Sequence, residues 1–128
     1  MSSSPSYIKT KIIDLPEMAT GAIVDLTQAP YSFPVNMHLF GLLGNVWLTQ
    51  SARWGSLKFI DGASSTDNIF VFNVTTMDVF NEQSYSAILE DDSYVRISNG
   101  LSVRFDGQYP DPDTGTKLAG GYVMAIYQ

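Results

Sequence analysis

Apolar and polar residues alternate with a period of two along most of this chain. "YIKTKIID" at 7–14 sets Ile8, Thr10 and Ile12 against Lys9, Lys11 and Ile13, and "AIVDL" at 22–26 is a second short run. "QAPYSFP" at 28–34, with two prolines, predicts an extended connector, because proline fixes φ and removes a backbone donor. Beyond it, "VNMHLF" places Val35, Met37 and Leu39 on one face and "SLKFI" places Leu57 and Phe59 on one face, before a polar loop "DGASSTDN". "IFVFNVTT" at 69–76, "YSAILE" at 85–90 and "GYVMAIY" at 121–127 continue the series, with turn signals between them. Eight or nine short runs at this spacing predict an all-β chain, a single-domain antiparallel β-sandwich or jelly-roll-like barrel. The best helical candidate, "TTMDVFNEQ", aligns Met77 and Phe80 but is built on weak helix formers and supports one turn at most. Residues 1–6 are Ser-rich and read as a flexible arm, so the expected division is an arm with short strands over 1–34 and the sandwich over 35–128.

"YVRISNGLSVRF" at 94–105 carries the strongest local signal, since Asn99 and Gly100 both tolerate positive φ between two alternating arms. A two-residue Asn99-Gly100 loop would split the apolar residues between two faces. A three-residue loop with Gly100 left-handed opposes Ile97 to Leu101 and Val95 to Val103, leaving one face wholly apolar, and is the preferred register. It sets Arg96 and Arg104, with Tyr94 and Ser102, together on the wetter face.

Two strands carry more apolar surface than one buried face requires. In "IFVFNV" Ile69, Val71 and Asn73 oppose Phe70, Phe72 and Val74; in "YVMAIY" Tyr122, Met124 and Ile126 oppose Val123, Ala125 and Tyr127. A sandwich strand buries one face and wets the other, so the surplus calls for a cover, best supplied by another subunit. Phe70, Phe72, Tyr122 and Ile126, with Arg96 and Arg104, are the candidate interface residues.

Length and composition narrow the function. At 128 residues the chain is one domain's worth and buries roughly two thirds of its unfolded surface on folding. The absence of cysteine excludes disulfides, thiolate metal sites and cysteine nucleophiles. Seven basic against 13 acidic residues, net −6, disfavours a phosphate-backbone binder, so nucleic acid is not an expected partner. No charged segment followed by an apolar run marks a signal peptide, and the longest apolar stretch, "MHLFGLLGNVWL", is too short to span a bilayer as a helix; no membrane partner is expected.

Candidate chemistry is sparse. His38 is the sole histidine, with no nucleophile or orienting group near it, and reads as a residue on a strand's less buried face. "EDD" at 90–92 is a solvated run beside a turn. Asp111, Asp113 and Gly115 weakly echo a calcium loop, but no glutamate closes it and Asp-Pro with Thr-Gly is ordinary turn chemistry. "NVT" at 73–75 fits a glycosylation acceptor but falls inside a strand. Trp47 reads as core, whereas Trp54 with turn tyrosines could form a sugar-stacking platform. No cofactor and no catalytic residue is expected.

The hairpin "VRISNGLSVRF", the turn-rich "DPDTGTKLAGG" and the closing "YVMAIYQ" together resemble small all-β virion proteins of tailed bacteriophages, over about residues 36–128. The resemblance implies a non-enzymatic virion protein of the capsid decoration or cement type, or a head or tail accessory protein. It further implies a homo-oligomer, specifically a trimer, bound to the major capsid protein or another virion protein. The alternatives are a carbohydrate-binding β-sandwich module or a receptor-binding accessory protein.

Overall fold

A computed structural model of the protein describes residues 7–48, 54–64, 68–75, 82–90, 93–109 and 117–128. The described residues form nine strands and no helix: β1 (Lys9–Leu15), β2 (Ile23–Asp25), β3 (Met37–Leu48), β4 (Trp54–Asp61), β5 (Asn68–Thr75), β6 (Glu82–Ile88), β7 (Val95–Ile97), β8 (Leu101–Tyr109) and β9 (Leu118–Tyr127). They make two antiparallel sheets. One runs β1-β9-β3-β6, with β7 also paired to β3; the other runs β2-β8-β4-β5. The all-β sandwich expected from the alternation is the observed architecture. The central part of the helical candidate, residues 76–81, lies outside the described residues, and its ends belong to β5 and β6.

The core lies between the sheets. Ile13 and Leu15 of β1, Leu42 and Val46 of β3, and Val123 and Ala125 of β9 bury one face; Leu57 and Phe59 of β4 with Val103 and Phe105 of β8 meet them from the other side. Residues of the 1–34 region enter this core too. β1 and β2 are edge strands of the two sheets, and Met18, Leu26 and Phe33 are buried with them. The extended connector expected at 28–34 is instead compact: Tyr31 and Ser32 N–H both donate to Gln28 O, the Ala29-Pro30 peptide is cis, and Phe33 N–H returns to Leu26 O.

The segment 94–105 departs from the expected hairpin. β7 pairs with β3, Met37 facing Ile97 and Leu39 facing Val95, while β8 pairs with β2 and β4 in the opposite sheet. Residues 98–100 therefore carry the chain from one sheet to the other. The apolar residues still point inward: Ile97, Leu101 and Val103 are fully buried and Val95 packs against them. Alternation reports which face of a strand is buried, and two strands on opposite walls of one core satisfy it as well as two partners in a hairpin. The corner is pinned from outside, where the Asp61 carboxylate accepts the N–H groups of Ser98 and Asn99. Gly100 holds φ +87°, donates to Val35 O and accepts from Gly62 N–H. Arg96 and Arg104, expected together on one face, stand instead on the outer surfaces of different sheets. Ser102, expected on the wet side, is buried.

β3 is the longest strand and serves three partners. An extra residue between Leu39 and Gly41 relative to β9 reverses its parity, so His38 and Phe40 lie outward before the bulge and Leu43, Asn45 and Trp47 after it.

Candidate functional site

The two outer faces differ in chemistry. On the four-stranded sheet, Lys58 and Arg104 flank Asp106, each with its nitrogen 3.0 Å from a carboxylate oxygen. Ser56 and Asn73 continue this polar surface. Ile23 and Val71 end the row that Arg104 and Lys58 occupy and are both exposed, so the ion pairs separate the apolar residues of this face from one another.

The outer face of the five-stranded sheet carries an apolar block across its centre, rimmed by polar residues. Its strand registers arrange the outward residues in rows across the sheet. Thr10, Ile126, Gly41 and Ile88 form one row; Ile12, Met124, Leu43 and Ser86 the next; Asp14, Tyr122, Asn45 and Ser84 the third. Beyond the third row come Gly120, Trp47 and Glu82, and before the first come Gln128, His38 and Arg96. Ile12 is 63% exposed and Ile88 54%, while Trp47 and Tyr122 keep 39% and 37%. Leu43, Met124 and Ile126 are half-buried between them.

Two glycines level this face. A Cβ on Gly41 would stand 2.8 Å from Ile88 Cδ1, and one on Gly120 would stand 3.0 Å from the Trp47 ring. Each glycine lets a large neighbour lie flat across the strands instead of standing off the sheet. The expectation that Trp47 belongs to the core is thereby corrected: the parity change in β3 turns it outward, over Gly120. A shallow depression of about 340 Å³, lined by Leu43, Gly44, Ser84, Tyr85, Ser86 and Tyr122, interrupts the surface. Beneath it the Tyr85 hydroxyl donates to Tyr122 O at 3.0 Å, and burial, followed by the neighbouring Tyr122, pushes the Tyr85 phenol well above the usual tyrosine range. At the ends of the face, Asn45 Nδ2 donates to the Glu82 carboxylate and His38 stacks on Tyr94 with ring centroids 4.2 Å apart.

Of the candidate interface residues, Tyr122 and Ile126 lie on this face and Arg96 at its corner. Arg104 is ion-paired on the other sheet. Phe70 and Phe72 point into the sandwich, where Phe72 meets Tyr85 at 4.8 Å and Phe59 at 6.0 Å, so their expected display on a surface is replaced by a place in the core layer. Asn99 and Gly100 form the inter-sheet corner. Ile12, Leu43, Met124 and Ile88 complete the face and were not singled out from the sequence as interface residues. The signal for Ile12 and Met124 was present, in Ile8/Thr10/Ile12 and Tyr122/Met124/Ile126, but their adjacency depends on the β1 to β9 pairing. Residues 110–116, with Asp111 and Asp113, and the side chain of Trp54 lie outside the described residues. Among the described residues no group of three or more His, Asp or Glu side chains is placed to share a metal ion.

No family model matches the chain, and no curated protein matches its sequence. Solved structures do match the fold. The coat protein of Tobacco streak virus, in a structure described as a dimer, superimposes with a TM-score of 0.51 at 10% identity, covering 98% of this chain and 89% of that one. A second structure of that coat protein gives a TM-score of 0.51 at 11% identity, covering 97% and 88%. The chain thus has a β-sandwich fold similar to that of a plant-virus coat protein.

Proposed function

We propose that the protein is a non-enzymatic structural component of a virus particle, acting through self-association of the outer face of its five-stranded sheet. The observation that carries the reading is the contiguous block of Ile12, Ile88, Ile126, Met124 and Leu43 on the outer face of the five-stranded sheet, whereas on the other outer face the Lys58–Asp106–Arg104 ion pairs separate Ile23 from Val71. A contiguous apolar sheet face rimmed by polar groups marks a surface that association removes from water. The fold likeness to a viral coat protein, in one structure a dimer, supports a place in the virion. The acidic net charge of −6 favours a protein partner over nucleic acid. The narrower assignment is a decoration or cement protein on the major capsid protein of a tailed bacteriophage; it is supported by the resemblance of residues 36–128.

Sedimentation velocity on the purified chain at micromolar concentration tests the reading. The expected result is an oligomer that Ile126→Asp converts to a folded monomer, with an unchanged far-ultraviolet circular dichroism spectrum. A wild-type chain that sediments as a monomer throughout rules the reading out.

A further inference from the structure

We infer that the partner on this face is a second copy of the chain, related by a two-fold axis that lies between the two sheets and runs across the strands along the row Ile12, Met124, Leu43 and Ser86. The inference deepens the self-association reading and rests on it. Two sheets meeting face to face through a two-fold require an axis parallel to the sheet plane, and only a few directions bring compatible residues together. An axis across the strands keeps each strand over its own copy and exchanges the rows on either side of the centre.

That exchange produces complementary pairs from one end of the face to the other. The row of Thr10, Ile126 and Ile88 falls on the partner's row of Asp14, Tyr122 and Ser84. Ile88, which projects at one edge, then lies over the depression beside Ser84, Ser86 and Leu43 on the other copy. Ile126 covers Tyr122, and the Thr10 hydroxyl comes to the Asp14 carboxylate. The outermost rows exchange too: Arg96 and Glu82 stand at the same lateral edge, on β7 and β6, both paired to one side of β3, and at opposite ends of the face. Each Arg96 therefore meets the partner's Glu82, and each His38 the partner's Trp47. Those outer rows lie equally far from the central row, so charge and shape complementarity select the same axis.

The area suffices. The five rows hold three or four outward positions each, and at about 6.8 by 4.8 Å per position they cover roughly 590 Å² per copy. The total of about 1,200 Å² lies at the lower end of specific interfaces. Aligned sheets pack with strand directions within about 30°, which this arrangement satisfies.

Because the chain contains no cysteine, single cysteines report the geometry directly. Met124→Cys, on the axis, should link to its own copy through a short bis-maleimide. Arg96→Cys alone should not link, and should do so when mixed with Glu82→Cys. In sedimentation, Arg96→Glu and Glu82→Arg should each raise the dimer Kd about tenfold or more, and the double variant should return it to within about threefold of wild type. Circular dichroism confirms that each variant is folded, and Arg96→Ala with Glu82→Gln serves if a reversal disturbs the fold. An oligomer of another order, a dimer without Met124→Cys linkage, or a double variant no tighter than the singles overturns the two-fold while leaving self-association standing. A wild-type monomer overturns both.

Discussion

Gly100→Ala should cost about 2–3 kcal/mol, and the sum has two separable parts. Gly100 sits at φ +87°, where an L side chain costs roughly 1–2 kcal/mol of backbone strain. Its new Cβ would also stand 2.6 Å from Thr27 Cγ2, too close for any real contact. Thr27 cannot simply turn away, because its hydroxyl donates to Asp25 Oδ1 at 2.6 Å; that bond, with the Thr27 N–H at 2.9 Å, holds the Asp25 carboxyl below the usual aspartate range. Displacing the side chain forfeits a hydrogen bond worth about 1 kcal/mol. The companion change Thr27→Ser removes Cγ2 and keeps the hydroxyl. Urea unfolding of the wild type, both single variants and the double variant forms a cycle in which Thr27→Ser should restore about 1 kcal/mol of the Gly100→Ala loss and leave the strain in place. A Gly100→Ala loss below about 0.5 kcal/mol refutes the left-handed corner, because surface substitutions away from special features stay within that range. A cycle with no coupling refutes the role given to Thr27.

Three further outcomes are expected. The Ser102 hydroxyl is buried without a hydrogen-bond partner, so Ser102→Ala should raise the unfolding free energy by about 1 kcal/mol, read from the urea midpoint; a decrease of that size would show that the hydroxyl is satisfied. Tyr85 is held neutral in the fold, so its contribution is complete below about pH 10, where the unfolded phenol ionises, and is lost as pH rises above it by about 1.4 kcal/mol per unit. Tyr85→Phe should lose about 1 kcal/mol at neutral pH with its bond to Tyr122 O, and should show a shallower alkaline decline than wild type; parallel declines would contradict the assignment. Phe72→Asp should lower the melting temperature well below that of Ile126→Asp, because Phe72 packs against the core at Tyr85 and Phe59; equal melting temperatures for the two would contradict their placement.

What could be read in advance was local. The alternation of Leu57 and Phe59, or of Val123, Ala125 and Tyr127, names the buried face of a strand because side-chain direction has a period of two. It does not name the strand's neighbour. Val95, Ile97, Leu101 and Val103 were placed toward the core by this rule, and the chain does bury them, in two sheets instead of one hairpin. The same limit separated Arg104 from Arg96 and sent Phe70 and Phe72 inward while turning Trp47 outward. A single inserted residue near Phe40 reverses the parity of all that follows in β3, and nothing in "MHLFGLLGNVWL" marks where the insertion falls. The apolar face itself joins residues of β1, β3, β6 and β9, an arrangement set by pairings between distant segments.

The pairing of β1 with β9 also governs when this surface comes into being. Thr10 lies beside Ile126 and Ile12 beside Met124, so strands from near the two ends of the sequence must meet to build one half of the apolar face. Closing so long a loop is entropically slow, and contacts of this separation form late in folding. β9 is the common neighbour of β1 and β3, so until it docks the two halves of the apolar face are not joined. The docking surface is therefore a product of the completed sheet, and a chain with this pairing open has only fragments of it to present.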